Sequence, residues 1–349
     1  MALSSRQVME IKEEIDSCKR PIFFFDDDQD GLCAFLLLYR YKKEGKGVIV
    51  KSTPKIGREF LRRVEEFSPD KIFILDIADV DDDFLDKANV PVVWIDHHGS
   101  KDKGRGRLKY FNPRVSKSDD NFPTSYLCYQ AVEQELWIAS LGCVADWFLP
   151  PFLENFRKEF PLMIENNYKT VGDIIYNSNL GKLIRIFSFV LKGEMSQVTK
   201  CINILTRIKN PYEILNKESS QGGFIYKRFE KINRDYEILF KDFADVIKKT
   251  KDRLVVYEYK DDKSSFTSDM SNEAVYRFPE KIIIVGRKKG DEMRCSIRSG
   301  KIILPFLVEK SLIGLDGYGG GHEHACGLSI KIIHFGEFVN RFSKLLDSN

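Results

Sequence analysis

Short apolar runs alternate with amphipathic stretches over the first 150 residues. Residues 21–25 form an apolar run of strand length, and 32–42 follow with apolar positions at helical spacing. Residues 48–53 alternate like a strand, and 58–67 read as a helix. Two more continuous apolar runs, 71–76 and 90–95, flank a short helix over 82–88. Strands alternating with helices predict a doubly wound parallel sheet. In such sheets ligands sit beyond the carboxyl ends of the strands. From 151 to about 250 helical patterns dominate, over 181–191, 196–208 and 226–249. In the last of these, Tyr226, Phe229, Ile232, Tyr236, Phe240, Phe243 and Ile247 recur at steps of three and four, the stripe of an amphipathic connector helix. Strand patterns return at 254–259, 281–285, 293–298 and 328–333, with a polar stretch over 261–272 that reads as a loop. The expected organisation is a doubly wound α/β domain over 1–150, a helical insert and connector over 151–252, and a smaller α+β domain over 253–349.

The composition fits that plan. The chain has 349 residues, 43% of them hydrophobic, enough for about two domains with cores of their own. With 55 Lys and Arg against 52 Asp and Glu, the net charge is +3. Any affinity for nucleic acid must therefore come from a local patch. The seven cysteines are scattered and include no CxxC pair, which argues against a disulfide scaffold or a cysteine zinc site. The polar, charged N-terminus does not read as a signal peptide. The longest apolar runs are far short of the ~20 residues a membrane span needs. The expectation is a cytoplasmic protein with no membrane partner.

The chemistry concentrates where the strands end. Four of the five histidines fall in two tight groups, Asp96-His97-His98-Gly99 and Gly319-Gly320-Gly321-His322-Glu323-His324. The run after the first strand is Asp26-Asp27-Asp28-Gln29-Asp30-Gly31, and Asp76 closes the second apolar run. Three strands ending in carboxylates or imidazoles on one sheet edge describe a site for Mn²⁺ or a similar divalent ion. Rival readings of single pieces fail. A calcium loop starting at Asp26 needs Glu at its twelfth position, which is Leu37. A dinucleotide fingerprint starting at Gly317 needs glycine where His322 stands, and His322-Glu323-His324 is not H-E-x-x-H. Bland readings remain for each piece alone: a solvated acidic turn, a strand-end carboxylate, structural histidines, a flexible glycine turn.

Taken together, Asp28-Gln29-Asp30-Gly31, Asp76, Asp96-His97-His98 and Gly319-Gly320-Gly321-His322 resemble the hallmark motifs of the DHH phosphoesterase family, in the variant with a C-terminal DHHA1 domain. Leu141-Gly142-Cys143-Val144-Ala145-Asp146 resembles a further family motif, an aspartate after a helix of small residues. The resemblance implies an active site in the cleft between the DHH and DHHA1 domains. It implies that Asp28 and Asp30 ligate two metal ions, that Asp76 bridges them, and that His97 and Asp146 complete the second. His98, with Asp96 in the catalytic group, would contact the scissile phosphate. Gly319, Gly320, Gly321 and His322 would hold the substrate phosphate, since glycines let successive N–H groups approach an anion as a nest. Arg298 matches the family's substrate-binding strand. One position departs: where the family has a histidine four residues before the first metal aspartate, this chain has Phe24. Asp26 is expected to take that place, as in RecJ-like nucleases, and the departure bears on whether one metal or two is bound.

A basic stretch follows the second histidine: Lys101, Lys103, Arg105, Arg107 and Lys109, with Asp102 as the one opposing charge. Beside a metal site it reads as a track for a phosphate backbone, with Tyr110 and Phe111 available to stack bases; the bland reading is a solvated loop. The acidic first motif and helical middle are similar to archaeal RecJ-like nucleases. That resemblance implies a Mn²⁺-dependent 3′→5′ exonuclease on single-stranded DNA, or RNA, with Mg²⁺ as substitute metal. It further implies work in replication or repair beside a helicase or related protein, as a monomer or homo-oligomer. Two alternatives stand. One is a nanoRNase or pAp-phosphatase-like enzyme acting on very short oligonucleotides or cyclic dinucleotides. The other is an inactive Cdc45-like scaffold.

Overall fold

The uninterrupted apolar run after Pro21 cannot leave either face in water, and it forms an inner strand of a five-stranded sheet. In the computed structural model, residues 3–51, 55–99, 107–117, 120–165, 167–260 and 264–347 are described. The strands of the first half are β1 (Pro21–Asp26), β2 (Lys46–Val50), β3 (Lys55–Ile56), β4 (Lys71–Leu75), β5 (Asp79–Val80), β6 (Val92–Ile95) and β7 (Leu108–Phe111). The sheet runs β2-β1-β4-β6-β7 with every neighbour parallel, and β3 pairs with β5 apart from it. The helices are α1 (Ser5–Ser17), α2 (Gln29–Lys42), α3 (Leu61–Phe67), α4 (Asp82–Lys87), α5 (Thr124–Val132) and α6 (Leu136–Ala145). Side-chain alternation divides the strands between two layers. Ile22, Phe24, Ile72, Ile74, Val92 and Trp94 pack with Val64 of α3 and Phe84 of α4. Phe23 and Phe25 turn the other way, onto Phe35 of α2, at ring distances of 5.7 and 4.6 Å.

The helical middle comprises α7 (Leu153–Glu159), α8 (Val171–Asn177), α9 (Asn179–Val190), α10 (Met195–Leu205) and α11 (Pro211–Leu215). Contacts group residues 1–191 and 198–227 into one compact unit, and 192–197 with 228–349 into a second. Most of the expected insert therefore packs with the first sheet. The connector α12 (Ser220–Lys249) begins in the first unit and ends in the second.

The second unit holds β8 (Leu254–Lys260), α13 (Thr267–Arg277), β9 (Ile282–Lys289), β10 (Glu292–Ser299), α14 (Pro305–Leu312), β11 (Gly317–His322), β12 (Ala325–Lys331) and α15 (Ile332–Asp347). Its mixed sheet runs β11-β12-β10-β9-β8. One face, with Ile284, Cys295, Ile297, Leu328 and Ile330, packs on Val308 of α14 and on Phe335, Phe338 and Phe342 of α15. The other meets α13, where Ser268 lies 3.0 Å from Ser296.

Three expectations change here. The polar stretch over 261–272 is not all loop. Helix α13 starts at Thr267, because Thr267, Met270, Ser271 and Ala274 bury one face at helical spacing. The strand expected over 328–333 stops at Lys331, where α15 begins. The glycine run is edge strand β11, paired antiparallel to β12, rather than a turn or a nest. In a strand successive N–H groups point opposite ways, so alternate ones, not consecutive ones, are free for an anion.

Candidate metal centre

Because β1, β4 and β6 are adjacent and parallel, their carboxyl ends share one edge. Beyond β1, Asp28 caps α2 by accepting from the Gly31 N–H at 2.9 Å. Only glycine fits there: a Cβ on Gly31 would lie 2.8 Å from the Asp26 nitrogen. In the first turn of α2, Asp30 is 1% exposed. Its carboxylate accepts from the backbone N–H groups of Thr124 at 2.7 Å and Ser125 at 3.0 Å, and from the Ser125 hydroxyl, so it rests on the first turn of α5.

Asp76 follows β4 in the left-handed region, with φ 61°. Its N–H donates to Ile95 O at 3.0 Å, which pins it to the end of β6. Its Oδ1 takes the Thr124 hydroxyl at 3.2 Å and lies 3.3 Å from His97 Nε2. The other nitrogen of His97, Nδ1, lies 3.8 Å from Asp146 Oδ2, at the end of α6. Asp96, 1% exposed, does not face this cluster directly. It holds His98: Oδ1 is 2.7 Å from His98 Nδ1, and Oδ2 takes the His98 N–H at 3.1 Å. The Asn112 amide donates to Asp96 Oδ2 at 3.2 Å and to His98 O at 2.9 Å. With Nδ1 engaged, Nε2 of His98 is left to face a ligand.

Three donor groups could each hold a metal ion: Asp26, Asp28 and Asp76; Asp76, His97 and His98; and Asp30, His97 and Asp146. Asp76 and His97 each belong to two of them. Burial, with the charges of Asp76 and Asp27, pushes the Asp26 carboxyl up to about 8. Burial and Asp76 likewise hold Asp28 and Asp30 well above the usual carboxylate range. Burial raises Asp146 to about 6, against the pull of His97. Asp76 alone is lowered: burial opposes its charge, but the His97 hydrogen bond outweighs it. Burial also opposes charge on His98, and the hydrogen bond to Asp96 nevertheless takes it up to about 9. Two imidazoles are thus set against five crowded carboxyls. His97 Nδ1 and Asp146 Oδ2 are buried without hydrogen-bond partners, and a cation between them and Asp30 would satisfy both. The donor set mixes carboxylate with imidazole, which suits a divalent transition-metal ion more than an all-oxygen calcium site would.

Residues 22–145 match the DHH family, N-terminal domain. No curated protein sequence matches the chain. Among solved structures, RecJ from Thermus thermophilus, in complex with Mn²⁺, is 13% identical with a TM-score of 0.70. The likeness covers 99% of this chain but 55% of that one, so the chain spans little more than half the Thermus protein's length. A DHH domain described as a member of the s1p family of ribosomal proteins is 15% identical, TM-score 0.65, over 98% of this chain and 89% of that one. An exonuclease RecJ bound to manganese is 15% identical, TM-score 0.59, over 98% and 94%. The fold is that of the RecJ-like DHH/DHHA1 architecture.

Outside the DHH cluster the expected residues divide. Phe24 is fully buried between Phe60 and Phe84, on the α3–α4 side of the sheet. Lys101, Lys103 and Arg105 lie outside the described residues. Arg107 does not sit at the site edge. Because β7 runs parallel to β6, Leu108 pairs with Val92 at the amino end, and Arg107 bonds Asn89 there. Lys109, beside it, pairs with Glu14 at 2.6 Å. Tyr110 is half-buried against Trp94 at 4.4 Å, and Phe111 is buried and closed to a base.

In the second unit, strand pairing sets Gly320 and His322 on the face that carries Ser296 and Arg298. Arg298 Nε donates to Asn272 Oδ1 at 2.6 Å. Nothing lies within 4 Å of a Cβ built on Gly320 or Gly327, which leaves an open floor; Gly319 points the opposite way, toward Val308 and Leu312 of α14.

Residues not singled out in the sequence also serve the site: Asn112 holds Asp96, Ser125 holds Asp30, and Thr124 bonds both Asp30 and Asp76. A lone Asn, Thr or Ser carries no such signal. Only the fold brings β7 and α5 to this edge.

Proposed function

We propose that the chain is a divalent-metal phosphodiesterase, a Mn²⁺-dependent 3′→5′ exonuclease on single-stranded DNA in replication or repair. The observation that carries it is the pair of donor groups, Asp26–Asp28–Asp76 and Asp30–His97–Asp146, joined by the 3.3 Å Asp76–His97 contact. The match to the DHH family and the RecJ-like fold support hydrolysis of phosphoesters. Two RecJ structures of that fold hold manganese.

In this reading Asp26, Asp28, Asp30, Asp76, His97 and Asp146 hold two ions, with Mg²⁺ as the substitute metal. Bound ions would generate hydroxide from water near neutral pH and neutralise phosphoryl charge. The protein's own groups do the rest. Thr124 and Ser125 fix the carboxylates. Asp96 and Asn112 orient His98 so that its ring would donate to a phosphoryl oxygen as charge builds there. Residues 1–150 would supply the chemistry, the helices and connector over 151–252 its support, and 253–349 substrate contacts through Arg298 and Gly319–His322. Cytoplasmic location and a helicase partner or homo-oligomer belong to the proposal; among the described residues no helix is long and apolar enough to cross a membrane.

The small-substrate reading keeps one observation in its favour: Arg107 and Lys109 are engaged at the far edge. Only Lys101, Lys103 and Arg105 remain as a backbone track. The test is a product ladder from 5′- and 3′-labelled single strands of DNA and RNA with Mn²⁺. Stepwise loss from the 3′ end supports the exonuclease. Cleavage of dinucleotides alone moves the assignment to a nanoRNase-like enzyme, and no release at all to a scaffold.

A further inference from the structure

Two residues next to the metal centre have no role in it so far. Helix α6 ends at Ala145 with Asp146 as its cap, and the next residue, Trp147, takes φ 58°. That is the left-handed position where helices end on glycine or asparagine, and a bulky residue there is strained. Hydrogen bonds from the Trp147 N–H to Val144 O at 3.1 Å and from the Phe148 N–H to Cys143 O at 2.9 Å lock the turn. The indole is not hidden in exchange. Trp147 is 45% exposed, whereas Trp94 and Trp137 are 2% and 3% exposed. One side leans on Tyr176, centroids 6.4 Å apart and tilted 56°. A strained backbone that holds a large apolar ring in water beside a proposed ligand has a functional explanation before a structural one.

The second residue is Arg114, in the single turn after β7. The Asn112 side chain that grips Asp96 and the His98 carbonyl also accepts the Arg114 N–H, at 2.8 Å. Arg114 is thus one side chain removed from His98. Its guanidinium is aimed by Asp120 O at 2.9 Å and Asn121 Oδ1 at 3.2 Å, both neutral acceptors. Its charge reaches Asp146 without forming an ion pair. Arg114 stands one side chain from His98 and Trp147 directly follows Asp146, and a cation with an exposed aromatic ring at one metal centre makes the pairing that recognises a nucleotide, phosphate on the one and base on the other.

We infer that Arg114 and Trp147 form a nucleotide subsite at the metal centre, with Arg114 on the phosphate next to the scissile one and Trp147 stacked on a base. This rests on the phosphodiesterase reading and deepens it by naming the two residues that would hold a nucleotide chain beside the scissile bond.

Fluorescence tests it directly, since Trp147 is the exposed one of three tryptophans. A phosphorothioate-linked thymidine 12-mer, which resists hydrolysis, should quench tryptophan emission saturably with Mn²⁺ present, and inorganic phosphate should not. Trp147→Phe should abolish the quench. In kinetics, Trp147→Ala and Arg114→Gln should each lower the ratio of kcat/KM on a single-stranded 12-mer to that on bis(p-nitrophenyl) phosphate, by roughly tenfold. Arg114→Gln should also flatten the salt dependence on the 12-mer by about 0.7 in log–log slope. Binding of the 12-mer by anisotropy without any quench overturns the proposal, as does an unchanged ratio in variants that fold. If the chain hydrolyses neither substrate, the phosphodiesterase reading falls instead, and the quench still reports on the subsite.

Discussion

At the scale of single residues, the centre depends on which carboxylate touches what. Asp76 meets His97, lies within 3.9 Å of His98, accepts from Thr124, and joins two of the three donor groups. Asp76→Ala should abolish Mn²⁺-dependent hydrolysis while the far-ultraviolet circular dichroism stays native. More than a few per cent of residual rate would contradict the two-metal assignment. Asp96 acts through another residue. Asp96→Asn keeps the shape and loses the charge that holds His98 by its Nδ1. The expected loss is about 10–100-fold in kcat with Mn²⁺ affinity retained, because partners that orient a site's side chains typically matter by that much. A parallel loss of metal binding, measured by titration calorimetry, would place Asp96 among the ligands instead.

Whole elements carry two further predictions. Helix α1 is tied to the sheet by Glu14, which meets Lys71 of β4 and Lys109 of β7. Burial works to raise the Glu14 carboxyl, yet the hydrogen bonds from Lys109 and Lys71 leave it below its ordinary 4.5. A carboxylate lowered in the folded state stabilises above its unfolded pKa and loses that contribution as pH falls. Glu14→Gln should therefore cost no more than about 1 kcal/mol near neutrality, since solvent screens the partly exposed Lys109 partner. The gap to wild type should narrow as the pH falls below the ordinary 4.5 and through the lowered folded-state value, which denaturant melts at several pH values would show. In β11, neighbouring glycines face opposite ways. A Cβ on Gly319 would sit 2.8 Å from Gly327 O and 3.0 Å from Val308, whereas one on Gly320 meets nothing. Gly319→Val should destabilise by about 1–3 kcal/mol through overpacking. Gly320→Val should leave the melting midpoint unchanged and raise KM, if the open floor receives substrate. Equal melting behaviour of the two variants would refute the facing.

For the molecule as a whole, ligand linkage is the relevant measure. A metal that binds the folded first unit and not the unfolded chain stabilises it by about 2.7 kcal/mol at a hundred times its dissociation constant. For a unit of this size that is roughly 5–10 °C in melting temperature. Mn²⁺ should give that shift and Ca²⁺ a smaller one; no shift with Mn²⁺ would remove the proposed centre.

Much of this was legible in the residues because it is periodic or local. Uninterrupted apolar runs had to become buried parallel strands, and parallel strands had to deliver Asp26, Asp76 and His97 to one edge. The DHH resemblance needed only the linear motifs. The polar stretch at 261–272 misled because α13 is amphipathic and short, and a few buried positions decide it only once β9 and β10 are there to cover. The glycine run misled because glycine has no preference of its own, and pairing with β12 made it a strand. The basic stretch after His98 looked like one feature in the linear chain, but the parallel register of β6 and β7 sends Arg107 and Lys109 to the opposite edge from the metals. Arg114, seven residues after Arg107, stands at the site edge for the same reason. The order of residues determined the layers, the ligands and the donor chemistry, since those follow from side-chain type and period. Which cations and which aromatic ring stand beside the metals was decided by strand register and helix ends, which depend on contacts between segments far apart in the chain.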